Sequence, residues 1–222
     1  MDSQCVYEKD HDEYGTVARV YDACTAPFLR ENRELLAATV RSAQGPFLDI
    51  CCGTGLQLVA LDAAPHLQPI IGIDLSAAML QKASPRASQH GFSLVQGNAG
   101  QLPFPPASFG IVALSFALHE KVWPCALQLV RSAFSVLRPS GLFITTDYLP
   151  RASASSWGFF LSAIIERAAG LQHFRNWQDY HRRGALGALI REARLPSPLR
   201  PLSHHVFASR VACMDVFQKA KD

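Results

Sequence analysis

Residues 47–56 read Phe-Leu-Asp-Ile-Cys-Cys-Gly-Thr-Gly-Leu. A short apolar strand here meets an acid, breaks into a glycine-bearing turn and opens a helix at Leu56. Gly53 and Gly55 let a backbone turn approach a ligand closely, and the helix start adds unpaired N–H groups. One βαβ unit later, the apolar run 69–73 ends in a second acid, Asp74. Strand, glycine turn, helix, strand, acid is the order of a nucleoside-binding α/β fold.

The rest of the chain fits that frame. Its 222 residues suit one domain. With 49% hydrophobic and 18% charged residues it has the material for a sizeable core. A net charge of +3 with no concentrated basic run beyond Arg182-Arg183 argues against a nucleic-acid platform. Cysteines at 5, 24, 51, 52, 125 and 213 form no Cys-x-x-Cys pair, so reduced thiols and no metal site are expected. Residues 1–12 are polar and acidic without a leader's apolar core, and no run of about 18 apolar residues exists, which predicts a cytoplasmic protein with no membrane span.

Periodicity predicts two N-terminal helices over 14–43, joined near Pro27. Strands follow at about 47–51, 70–74, 92–96, 110–116 and 141–148, with helices at about 56–64, 76–88 and 122–138 between them. This spacing suits right-handed crossovers and a parallel sheet with helices on both faces. After residue 150 the rhythm changes to an apolar helix over 153–171 and a helical stretch over 177–194. Two strand candidates, 198–204 and 206–214, close the chain and are spaced to pair antiparallel. The expected organisation is a single domain, 1–222: N-terminal helices to 45, a core over 46–150, then a helical cap and terminal strands over 151–222.

Four segments in order carry a more specific likeness: Leu48-Asp49-Ile50-Cys51-Cys52-Gly53-Thr54-Gly55, Ile71-Gly72-Ile73-Asp74-Leu75-Ser76, Gln96-Gly97-Asn98-Ala99 leading to Leu102-Pro103-Phe104, and Leu137-Arg138-Pro139-Ser140-Gly141. Over residues 14–148 the chain resembles the class I S-adenosylmethionine-dependent methyltransferases, small-molecule branch, in the style of the ubiquinone and menaquinone enzymes. The resemblance implies a Rossmann-like, doubly wound, seven-stranded sheet with N-terminal lid helices and a C-terminal antiparallel pair. It also implies S-adenosylmethionine as cofactor and a small-molecule methyl acceptor.

In that family pattern the turn with Cys51, Gly53 and Gly55 takes the amino-acid end of the cofactor, and Asp49 reaches its ammonium. Asp74 is placed for the ribose hydroxyls, which a carboxylate accepts bidentately, with Leu75 beside it. Asn98 stands where relatives carry Asp for the adenine amino group, and Ala99 offers its N–H to the ring. Ser115 and Phe116, ending the fourth strand, face the methionyl part. Tyr21 is the lid candidate for the carboxylate end, ahead of Tyr14. Cys51, where the fullest motif has glycine, reads as packing rather than a reactive thiol.

The acceptor is less legible. Methyl transfer is an in-line displacement that needs alignment and a desolvated path, and a base only where the acceptor must lose a proton. His119, after the fourth strand, is the candidate base. Asp147 and Tyr148 are lesser pocket candidates. The aromatics Trp157, Phe159, Phe160, Phe174 and Trp177 suggest an apolar or aromatic acceptor, and suit an inter-helix core equally. An O-, N- or C-acceptor and the oligomeric state stay open. Two alternatives remain: a nicotinamide-dependent oxidoreductase, for which the turn lacks a clean Gly-x-Gly-x-x-Gly, and a cofactor-binding protein without transferase activity.

Overall fold

The computed structural model describes residues 18–62 and 64–221. Seven strands, β1 (Phe47–Ile50), β2 (Ile70–Asp74), β3 (Ser93–Gln96), β4 (Phe109–Ser115), β5 (Leu137–Tyr148), β6 (Leu199–Phe207) and β7 (Ala212–Lys219), form one sheet in the order β3-β2-β1-β4-β5-β7-β6. The first five run parallel; β7 pairs antiparallel with both β5 and β6. The strand order reverses between β1 and β4, so their carboxyl ends flank a crevice where open α/β sheets bind ligands.

Among the described residues the α-helices are α1 (Ala18–Thr39), α2 (Leu56–Val59), α3 (Ala77–His90), α4 (Trp123–Val136), α5 (Ser156–Ala169), α6 (Leu171–Arg183) and α7 (Ala185–Ala193). Alternate residues of each strand serve opposite faces. Leu48, Ile50, Val112 and Leu114 pack under Trp123, Leu129 and Val130 of α4 and Leu189 of α7. Phe47, Ile70, Ile111 and Ala113 pack under Leu36 of α1 and Leu58 of α2. Burial on both sides explains why β1 and β4 read as continuous apolar runs. Ser76 caps α3 by accepting the Met79 N–H, as its position after Asp74 predicts.

Several expected boundaries move. One helix, α1, replaces the expected pair, because the missing N–H of Pro27 removes only one rung from a 22-residue ladder. Pro139-Ser140-Gly141 lies inside β5, at a register shift against β4 with Ser140 at φ 60°, rather than launching the strand. The 177–194 stretch is two helices, broken at Gly184. His204 and His205 sit in β6, opposite Asp215 and Met214; the turn instead uses residues 208–210, all at positive φ. Cys125 is disulfide-bonded, against the expectation of wholly reduced thiols, while Cys51, Cys52 and Cys213 are free. Among the described residues no helix is long and apolar enough to cross a membrane.

Candidate active site

The glycine turn forms as its composition predicts. Cys51, Gly53 and Gly55 have φ of 59°, 54° and 75°. The last two are at no steric disadvantage there; Cys51 is, since left-handed backbone crowds a Cβ. The turn also lies tight against β2: a Cβ on Gly72 would meet Leu58 Cδ1 at 2.7 Å and Cys52 Sγ at 2.8 Å.

Asp74 fastens this turn. Its Oδ2 accepts the Gly53 N–H at 2.8 Å and its Oδ1 the Ser76 N–H at 2.9 Å. Burial pushes its carboxyl above the usual range, and the two amides oppose that rise. Asp49 is more enclosed. Its Oδ1 accepts from Gln57 Nε2 at 2.9 Å, Gln57 Oε1 accepts from Asn32 Nδ2 at 3.0 Å, and Asn32 Oδ1 accepts from Thr146 at 2.8 Å. This relay ties β1, α2, α1 and β5 around one carboxyl. Burial, with the Asp74 charge adding to it, pushes Asp49 up to about 8, and the Gln57 hydrogen bond only partly opposes that.

A second set of contacts holds α1 down. Asp22 accepts from Thr54 Oγ1 and from Arg86 Nη2, both at 2.6 Å, while Arg86 Nη1 donates to the Thr54 carbonyl at 2.7 Å. Beneath this clasp lies a cavity of about 60 Å³, whose walls include Asp22, Asn32 and Arg33 of α1 with Asp49, Gly53, Ser115 and Phe116. A larger space of about 500 Å³ opens beside Gln44, Gly110 and Ser140, at the opposite end of the strands. None of the acids or glycines of the turn reaches it, so its size does not make it the site.

The remaining expected cofactor residues spread along the same edge. Asn98 follows β3, and its Oδ1 already accepts the Gly100 N–H at 2.8 Å. Ala99 is buried, and Leu75 is half-buried with its carbonyl accepting from Gln96. Ser115 and Phe116 both reach the cavity, Phe116 at φ 50° with its N–H donating to the Thr146 carbonyl. Cys51 also lines it, and burial raises its thiol far above the ordinary value, which suits packing. Tyr14 and the Tyr21 side chain lie outside the described residues.

His119 is not a free base. Its Nδ1 lies 2.6 Å from Asp147 Oδ1 and its Nε2 3.4 Å from Glu166 Oε1. Burial alone would lower the imidazole, but the charge and hydrogen bond of Asp147, with Glu166, outweigh it and hold it at about 10. Glu166 also accepts from the Tyr148 hydroxyl at 2.7 Å. Phe116 packs edge-on against both His119 and Tyr148, so one ring walls the cavity on one side and this buried cluster on the other. His181 is the contrasting imidazole: burial pulls it down to about 4, and among the described residues neither ring nitrogen has a hydrogen-bond partner.

Sequence reasoning missed Asn32, Gln57, the Asp22–Arg86 pair and Glu166. Only Glu166 left a trace, as the sole acid in the helix 156–169. In the tail, His204 Nδ1 pairs with Asp215 at 2.7 Å beside Cys213.

Residues 47–141 match the family model described as methyltransferase domain. Within those residues the chain is similar to a methyltransferase domain. Over 102 residues the domain is 38% identical to the demethylmenaquinone methyltransferase of Bacillus licheniformis, covering 45% of this chain and 43% of that protein. The Staphylococcus aureus protein of the same name is 29% identical over 153 residues, 66% of this chain and 63% of the other. The matched region thus spans about half the length of the curated relatives. The methyltransferase architecture recurs in solved structures. The N-methyltransferase NodS of Bradyrhizobium japonicum aligns with a TM-score of 0.61 at 17% identity, over 88% of this chain and 98% of that one. An O-methyltransferase family protein of Burkholderia thailandensis gives 0.66 at 15%, over 92% and 60%. These likenesses establish the Rossmann-like, seven-stranded methyltransferase fold.

Proposed function

We propose that the protein transfers a methyl group from S-adenosylmethionine to a small apolar or aromatic acceptor. One observation carries this reading: Asp49, one residue before the end of β1, and Asp74, the last residue of β2, sit on adjacent parallel strands with the Gly53 turn between them, beside the β1–β4 switch point. The residues fit the donor chemically. Each Asp74 oxygen takes a single backbone N–H, which leaves acceptor capacity for two ribose hydroxyls. Asp49 supplies a carboxyl at the cavity wall for an ammonium group. Asn98 retains one lone pair on its amide oxygen for the adenine amino group, and Ala99, Leu75, Ser115, Phe116 and Tyr21 complete the proposed contacts.

When bound, the donor supplies an electrophilic methyl carbon on a cationic sulfonium. The chain's own part is alignment and exclusion of water. The α1 clasp shuts the methionyl end, and Phe116 separates it from the buried cluster. His119, protonated between two carboxylates, is a positioning residue in this reading: it braces α5 against the ends of β4 and β5. The relatives' name, demethylmenaquinone methyltransferase, supports an aromatic acceptor for this chain as well. Titration calorimetry with S-adenosylmethionine, S-adenosylhomocysteine and NAD tests the donor, and radiolabelled methyl transfer to extracted small molecules tests the reaction. Binding of NAD alone, or no transfer above an Asp74→Ala control, overturns the proposal.

A further inference from the structure

Helix α5 packs Phe159 and Ala163 against the core beside a buried polar edge, and turns its other apolar residues outward. Trp157, Phe160, Leu161, Ile164 and Ile165 recur at helical spacing along one face, and all are exposed: Trp157 at 65%, Phe160 at 54% and Ile164 at 51%. The inner face carries Gly158, Ser162 and Glu166, all buried. Rotation of the helix cannot correct this, because Glu166 holds both the Tyr148 hydroxyl and His119, and Ser155 caps the first turn through the Gly158 N–H. Burying Trp157 would unpair a buried imidazolium. Scattered exposed apolar residues are ordinary, but a continuous stripe extended by the Trp157–Phe160 stack marks a surface that another phase or molecule covers.

The charges around the stripe choose the occupant. Within residues 149–175 the basic residues are Arg151, Arg167 and Arg175, all exposed, and the only acid is the buried Glu166. Arg210 is also exposed and lies at the first turn of α5, where its carbonyl accepts the Ser155 N–H. A bulky apolar stripe flanked in sequence by exposed arginines, with the one acid of its own helix buried, is the composition of a helix that lies in the plane of an anionic bilayer surface. Two copies meeting through this face would bring arginine against arginine.

We propose that α5 docks this protein onto anionic lipid membranes, with Trp157, Phe160 and Ile164 entering the acyl boundary. The inference is independent of the donor chemistry. Trp123 and Trp177 are buried, so quenching by brominated-acyl lipids reports on Trp157. The full chain should co-sediment with phosphatidylcholine/phosphatidylglycerol vesicles at least about tenfold more tightly than with phosphatidylcholine alone, with its fluorescence quenched. The W157E/I164E variant should lose both signals while keeping its thermal transition. R167Q/R175Q should keep the fold and lose the preference for anionic lipid. The proposal is overturned by absence of binding to the anionic vesicles, by equal binding to both compositions, or by light scattering that shows a stable dimer dissolved by W157E/I164E.

Discussion

The Gly53 N–H donates to Asp74 Oδ2 at 2.8 Å, so the acid that ends β2 fixes the turn that ends β1. A single carboxylate therefore shapes the cradle and faces the proposed ribose site. Asp74→Ala should weaken donor binding by about 1–3 kcal/mol through loss of charge-assisted hydrogen bonds. Asp74→Asn, which keeps one acceptor, should lose less. Calorimetry on both variants checks the order, and affinities unchanged from the unsubstituted protein in both would remove Asp74 from the site.

Asp49 gives a pH signature. Its folded-state pKa of about 8 lies above the ordinary carboxylate value, so its contribution to stability is full in acid and is lost as pH rises through 8. A cationic donor favours the ionised form. Donor binding at pH 7 should release up to about one proton, and the release should vanish in Asp49→Asn. Binding enthalpies compared across buffers of different ionisation heat measure it.

The His119 cluster predicts a second window. With the imidazole raised to about 10, its stabilising contribution is complete below the ordinary histidine range and is lost as pH climbs towards 10. Glu166→Ala leaves the buried pair incomplete and should cost about 3–5 kcal/mol, read by urea unfolding at pH 7. Nitrogen NMR should show His119 doubly protonated and His181 neutral at the same pH. A neutral His119 at pH 7 would refute the brace.

The α1 clasp should act on access more than on stability. Asp22 and Arg86 are each about a quarter exposed, so Arg86→Ala should cost at most about 1 kcal/mol. Amide exchange in α1 should nevertheless quicken, and donor should dissociate faster. Unchanged exchange in α1 would mean that Leu36 and its neighbours alone hold the helix down.

Much of the turn proposed to hold the donor was legible because it is local. Asp49, Gly53 and Gly55 fall within one strand-turn-helix unit, where left-handed backbone, a buried strand and a helix start each leave a mark on residue type. Asp74 and Ser76 do the same at the next strand end. The alternation of strands with helices likewise pointed to a parallel core with right-handed crossovers, while the strand order came from the tertiary structure.

The roles of His119, Glu166, Gln57 and Asp22 were decided only by the tertiary structure. A side chain's charge state depends on what is buried beside it, and for His119 that is Asp147 from β5 and Glu166 from α5, joined by no local pattern. The same holds for α5, whose aromatics suited an acceptor pocket and an inter-helix core equally until the assembled structure turned Trp157 and Phe160 outward and Phe159 inward. Residue type recorded where the backbone bends; only the assembled sheet and its covering helices fixed which groups share a dielectric, and with it which of them carry charge.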